Sequence, residues 1–313
     1  MDDILILMEE LSMYGNSLNI GHIIKELRQK RNMRQEELAY GICSQANISM
    51  IESGKIYPST FILHQIACKL RVPLNYFFLT NDGGMEKYKK NTVRQIIQKF
   101  LRDKDYTQVL LFIEEEKKIG TFSKNKYDLQ FLIWIETICL YHTNKLDDPI
   151  VSLKKALRKT FTTLNHITEQ ELLILNSIGI ILSEEGKNKH AIRILRWVNI
   201  TLNSNYYISD YTLLIKNTYA YAQALSRQSS YHQAIKLCDK AINYCLFIES
   251  SFLVGELYYE KGLNLYYLKN FYEAQCSFSY AVQIFEIKKQ SQYKDFVLDK
   301  IEQYSFISLP SIK

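Results

Sequence analysis

Three stretches of this chain place small and bulky residues at the same four offsets. "NSIGIILSEEGKNKHAIRILRWVNITL" carries Gly179, Ala191, Leu195 and Val198 at offsets 0, 12, 16 and 19. "TYAYAQALSRQSSYHQAIKLCDKAINYC" repeats them with Ala222, Ala234, Cys238 and Ala241, and "YYEKGLNLYYLKNFYEAQCSFSYAVQIF" with Gly262, Ala274, Phe278 and Ala281. A polar break separates the first marked residue from the other three, so the marks fall on two successive helices. Small residues there let two antiparallel helices approach closely, and bulky ones fill the gap between successive pairs. Three coincidences at fixed offsets point to a stack of helix pairs.

The spacing is that of tetratricopeptide repeats, and the distances between repeats are 43 and then 40 residues, longer than the usual 34 or so. Residues 86–162 hold two more degenerate pairs, "KYKKNTVRQIIQKFL"/"YTQVLLFIEEEKK" and "DLQFLIWIETICLYH"/"PIVSLKKALRKTF". With four prolines, eleven glycines and 47% hydrophobic residues in 313, neither a turn-rich β architecture nor disorder fits. The expected fold is all-α, with a right-handed tetratricopeptide-like array over residues 91–305.

Residues 20–80 differ. They break into five short helical patterns, among them "IGHIIKELRQKR" with Ile20, Ile23, Ile24 and Leu27 on one face, and "STFILHQIACKL" behind a Ser59 cap. This segment holds eight Lys/Arg against four Asp/Glu, so +4 of the chain's +6 sits in a fifth of its length. The Gly-Gly in "TNDGG" marks a boundary, which makes residues 81–90 a linker and 1–19 an N-terminal extension. An amphipathic helix over residues 4–13 would pack on the body or serve a dimer contact.

"RQEELAYGICSQANISMIESGKIYPS" resembles the helix-turn-helix of the phage-repressor or Xre type, through Gln35-Glu36-Glu37-Leu38-Ala39, Ile48-Ser49, Ile51-Glu52-Ser53-Gly54 and Pro58. Leu38, Ala39, Ile48 and Ile51 would join the two helices at their crossing. That leaves Ser44, Gln45, Asn47, Ser49 and Met50 on the outer face, where a major groove admits them. Gln and Asn can grip adenine bidentately and Ser reads several bases; Ser44 and Asn47 also suit helix capping. Arg34, Gln35, Lys55 and Tyr57 flank the helix and suit phosphates. Arg28, Lys30 and Arg31 are either phosphate contacts or solvated surface. Met50 departs from the pattern, because Arg or Lys often follows the motif's serine; a thymine methyl suits it better than guanine.

A helix-turn-helix followed by such an array resembles the PlcR-like, peptide-regulated quorum-sensing regulators of Gram-positive bacteria, best in "ICSQANISMIESGKIYPS" and "LYYEKGLNLYYLKNFYEAQ". The resemblance implies a cytoplasmic homodimer that binds double-stranded DNA at a palindromic operator and cradles a short signalling peptide. By repeat position the concave surface takes Leu173, Asn176, Ile180 and Ser183 from one first helix. The next gives Lys216, Tyr219, Gln223 and Arg227, and the last Glu256, Tyr259, Leu263 and Tyr267, with Asn217 and Glu260 beside them. Amides, tyrosines and a few charges suit an extended peptide, though aromatics also serve pair-to-pair packing. Asn176 matches a family position that holds peptide backbone. The next family asparagine falls on Ala220, with Asn217 a turn earlier, which implies a different peptide. Lys87, Lys89 and Lys90 would meet a carboxylate at the groove's end or remain solvated.

Other classes find little in the chain. Six histidines and six cysteines show no metal-ligand spacing, and no C-x-x-C, H-E-x-x-H, G-x-S-x-G or phosphate-binding loop occurs. The cysteines read as reduced, buried thiols. No catalytic residue, cofactor or metal is expected. Acidic residues stand where a signal peptide carries lysines, and no apolar run is long enough to span a membrane. One alternative keeps the DNA-binding half as an autoregulator and gives the array a protein partner. A peptide-regulated phosphatase inhibitor would carry a different N-terminal bundle.

Overall fold

The computed structural model describes residues 20–78, 82–163, 166–204 and 211–304, without the side chains of 82–89. The extension 1–19 and the Lys87 and Lys89 side chains lie outside the described residues. The chain forms two compact units, Met1–Asp105 and Tyr106–Lys313, and all regular structure among the described residues is helical.

The first unit holds α1 (Ile20–Lys30), α2 (Gln35–Ala39), α3 (Gln45–Glu52), α4 (Thr60–Lys69), a 3-10 turn (Leu74–Phe78) and α5 (Asp82–Arg102). Ile20, Ile23, Ile24, Leu38, Ala39, Ile48, Ile51, Leu63, Ile66, Ala67, Leu70 and Phe77 form one core. Ser59 caps α4, its hydroxyl accepting from the Ile62 N–H at 3.3 Å. Gly21 lets α1 lie against the end of α3: a methyl there would overlap the backbone carbonyl of Ile51.

The second unit runs α6 (Tyr106–Ile119), α7 (Lys126–His142), α8 (Pro149–Leu157), α9 (Glu169–Glu184), α10 (Asn188–Ser204), α11 (Tyr211–Arg227), α12 (Tyr231–Phe247), α13 (Val254–Tyr267), α14 (Phe271–Ile287) and α15 (Ser291–Gln303). Helices α9/α10, α11/α12 and α13/α14 are the three repeat pairs. The first helices also touch one another, α9 on α11 and α11 on α13, which lines them along one face. The marked positions meet as the spacing requires. A methyl on Gly179 would stand 2.6 Å from Leu195, and one on Gly262 2.9 Å from Phe278, so offset 0 faces offset 16 across each pair. The last described helix, α15, buries Val297 alone among its side chains and packs on α14.

Three expectations change. Residues 82–90 of the expected linker are helical, because α5 begins at Asp82; the Gly pair falls in the first turn, whose N–H groups have no partner within the helix in any case. The pair expected first in the array divides at Asp105/Tyr106, with α5 in the N-terminal unit and α6 in the C-terminal one. The cysteines are free but only half of them are buried: Cys139, Cys238 and Cys245 are, whereas Cys43 and Cys276 are half-buried and Cys68 is exposed. Burial pushes the Cys139 thiol up to about 12, with Glu136 adding to it.

Candidate nucleic-acid interface and groove

Helix α3 buries Ile48 and Ile51 and turns its first residues outward. Ser44, in extended conformation, accepts from the Asn47 N–H at 3.2 Å and so caps the helix. Gln45 and Met50 are exposed, Asn47 and Ser49 half-buried. Arg34, Lys55 and Tyr57 are exposed around them, Tyr57 by 78%.

Beneath this face runs a relay that begins in the core. Arg28 and Glu52 form a two-pronged ion pair, Nε to Oε1 at 2.6 Å and Nη2 to Oε2 at 2.9 Å, and Arg28 Nη1 donates to the Met33 carbonyl at 2.7 Å. Gln35 donates to Glu52 Oε2 at 2.8 Å, and its own carbonyl accepts from Gln45 Nε2 at 2.8 Å. The Gln45 amide is thereby held in one orientation, with its oxygen and second N–H free to meet a donor–acceptor edge. The hydrogen bond to Glu52 raises the Arg28 pKa and outweighs the effect of burial. Arg28 is neither a phosphate contact nor solvated surface, because it is 9% exposed and committed to Glu52. Lys30 and Arg31 are exposed.

Sequence reasoning missed Glu52 and misplaced Arg28, although the signal was there. Each lies four residues after a core isoleucine, Ile48 and Ile24, and so falls on the buried side of its helix.

In the second unit the expected lining residues lie on α9, α11 and α13, but unequally exposed. Leu173, Ile180, Tyr219, Gln223, Glu256, Tyr259 and Leu263 are half-buried, and Lys216, Arg227 and Tyr267 exposed. Ser183, Asn176, Asn217 and Glu260 are buried. Asn217, at 0% exposure, donates to Asn176 Oδ1 at 3.1 Å and to the Leu195 carbonyl at 3.3 Å. It thus joins α11 to α9 and α10 and lies beneath the surface. Arg227 donates to Ser183 at 2.7 Å and Gln223 to the Tyr219 hydroxyl at 2.9 Å. Lys216 stands over the Phe252 ring at 5.5 Å. Tyr259 packs between Phe278 and Phe296, ring centres 5.7 and 5.4 Å away, and Tyr267 stacks on Tyr231 at 5.1 Å, the packing role left open for tyrosines.

Glu260 lies buried on this side of α13. Burial raises its pKa, against the opposing hydrogen bonds from Asn264 and Ser226 and the charge of Arg227. The Tyr219 phenol is pushed up, first by its burial and then by Glu260 and Glu256. Lys90 is on α5, in the other unit. No group of His, Cys, Asp and Glu among the described residues could hold a metal, and none of the described helices is long and apolar enough to cross a membrane.

Residues 94–306 match the model of the RNPP family C-terminal domain, and residues 24–77 match a helix-turn-helix model. PlcR of Bacillus thuringiensis, solved in complex with the peptide PapR7 and DNA, is similar with a TM-score of 0.75 and 29% identity, over 89% of this chain and 98% of that one. Its apo form gives 0.64 and 27%, over 90% and 98%. The ImmF control region 10 kDa protein of Bacillus phage phi105 is 30% identical over 84 residues, 25% of this chain and 93% of the phage protein.

Proposed function

The chain belongs to the RNPP family, as a PlcR-like helix-turn-helix transcription regulator, and from that premise we propose how it works. It reads double-stranded DNA with the exposed face of α3. Gln45 and Asn47 meet base edges, Ser44 and Ser49 add polar contacts, and Met50 meets a thymine methyl, while Arg34, Lys55 and Tyr57 hold phosphates. The face of the array formed by α9, α11 and α13 holds a short signalling peptide, through Tyr219, Gln223, Glu256, Tyr259 and Leu263. The chain acts as a homodimer in quorum sensing, on a palindromic operator whose two half-sites mirror its symmetry. The proposed domain division is a DNA-binding module over 20–80, a linker over 81–90 and a peptide-binding and dimerisation module over 91–305.

The observation that carries the reading is the relay from Arg28–Glu52 through Gln35 to Gln45. A glutamine amide anchored to a buried ion pair is pre-oriented at the helix end that a major groove admits.

The test is selection of binding sites from random duplexes with the full-length protein at fixed salt. A two-fold symmetric consensus is expected. Gln45→Ala should then lose about 1–3 kcal/mol of discrimination at one base pair of each half-site, measured by fluorescence anisotropy. A consensus without symmetry would rule out the dimeric reading, and no consensus would rule out sequence-specific recognition.

A further inference from the structure

Four buried side-chain oxygens or nitrogens among the described residues have no hydrogen-bond partner, and all four are oxygens: Asn217 Oδ1, Glu256 Oε2, Asn264 Oδ1 and Gln290 Oε1. Three of them lie on α11 and α13, the touching first helices of successive pairs. Asn264 is wholly buried, and its amide nitrogen is committed to the Glu260 backbone at 2.7 Å and carboxylate at 2.9 Å. Its carbonyl oxygen is left without a donor. One turn before Glu260 on the same helix, Glu256 brings a second carboxylate, with one oxygen buried and unmatched. Tyr219 lies on α11, which touches α13, and both carboxylates add to the upward push on its phenol, so the three share one patch. Arg227 acts on Glu260 from a distance, but its guanidinium donates to Ser183.

Ser226 and the Asn264 amide already serve Glu260, but no donor reaches Glu256 Oε2 or Asn264 Oδ1, so the patch holds more acceptors than donors. Buried acceptors left unmatched cost roughly 1–3 kcal/mol each, more when charged. A single water would satisfy one of them without touching the charge. The group that answers both needs is a cationic nitrogen with several N–H bonds.

We propose that Glu256, with Glu260 and Asn264 behind it, is the subsite for a cationic nitrogen of the bound peptide, supplied by its free N-terminal ammonium or by a lysine or arginine side chain. The proposal rests on the groove reading above and adds the charge of the ligand to it. Glu256 sets specificity, and the buried Glu260 and Asn264 hold its surroundings in place.

Affinity selection of heptapeptides on the full-length protein, with the retained peptides identified by mass spectrometry, tests this. Three pools are used: random with free N-termini, the same pool N-acetylated, and a pool without Lys or Arg. Strong retention is expected from the first pool and its loss in one of the others, which identifies the source of the cation. A synthetic copy of the best retained peptide should bind Glu256→Gln roughly ten- to hundredfold more weakly than the parent, the range for a hydrogen bond to a charged group. The same peptide with its cation neutralised should bind parent and variant alike, which a variant that merely misfolds would not do. Peptides retained equally from a further pool both N-acetylated and free of Lys and Arg, or bound undiminished by Glu256→Gln, would overturn the subsite and leave the groove standing. If no pool is retained at all, the groove reading falls and the subsite with it.

Discussion

The Arg28–Glu52 pair shows how a single buried charge can be structural and still shape recognition. Glu52 has a side chain 2% exposed and Arg28 one 11% exposed, so neither is relieved by solvent when its partner goes. Removing one member of a buried pair costs roughly 3–5 kcal/mol, whereas replacing both by apolar residues of similar size is often close to neutral. Arg28→Met should therefore lower the opening free energy of α1 and α3 by about 3–5 kcal/mol, read by hydrogen exchange in the full chain, with α9–α14 unchanged. Arg28→Met/Glu52→Leu should recover most of that loss but not operator affinity, because Gln35 then has no carboxylate to hold it and Gln45 is released. A double variant that opens as readily as the single would show that the ion pair is not the origin of the effect. Recovered affinity in a well-folded double variant would show that Gln45 needs no anchor.

At the scale of the helix pair, Gly179 faces Leu195 and Gly262 faces Phe278, while Ala222 shares its buried cluster with Cys238. Where the partner is bulky the first residue is glycine, and where the partner is small it gains a methyl: the volume at the crossing is kept. Gly179→Ala alone should destabilise the array by roughly 1–3 kcal/mol through overpacking, seen as a lower thermal midpoint of the array transition. Gly179→Ala/Leu195→Cys copies the next pair and should return much of the loss. If it costs the sum of the two single changes instead, the positions are not coupled. This compensation is why the array was legible from the chain alone: the repeat fixes a volume at each crossing, and volume is written in residue type. The outer ends of the same argument were harder to read. Asn217 lies four residues after the buried Leu213 and so on the buried side of α11, but its hydrogen bonds to Asn176 and the Leu195 carbonyl come from two other helices, which no local pattern records. The helix from Asp82 was not legible for a similar reason, since a Gly pair ends a helix at one terminus and is tolerated in the first turn at the other. Nothing in the α1 pattern marks Gly21, and only the approach of the Ile51 carbonyl shows why it must be small.

For the whole molecule, two compact units share one chain, each with its own core. A regulator of this kind works only if occupancy of the array changes the free energy of DNA binding, and such coupling is reciprocal. If the peptide changes operator affinity by some factor, the operator must change peptide affinity by the same factor, with roughly 5- to 150-fold a usual range. The measurement is a closed cycle at one salt concentration, because phosphate contacts make DNA affinity steeply salt-dependent. Operator Kd is taken by anisotropy with and without saturating peptide, and peptide Kd by calorimetry with and without saturating operator. The two ratios should agree and differ from one. Ratios that agree at one would mean that the array binds its peptide without instructing the DNA-binding half, and would send its regulatory role to a protein partner. Ratios that disagree would mean the cycle is not closed by these two ligands alone. A change in oligomeric state is then the first term to restore, by repeating both titrations at a tenfold higher protein concentration. In either case Arg28→Met/Glu52→Leu serves as the control, since it is expected to weaken the operator arms alike and leave the coupling factor unchanged.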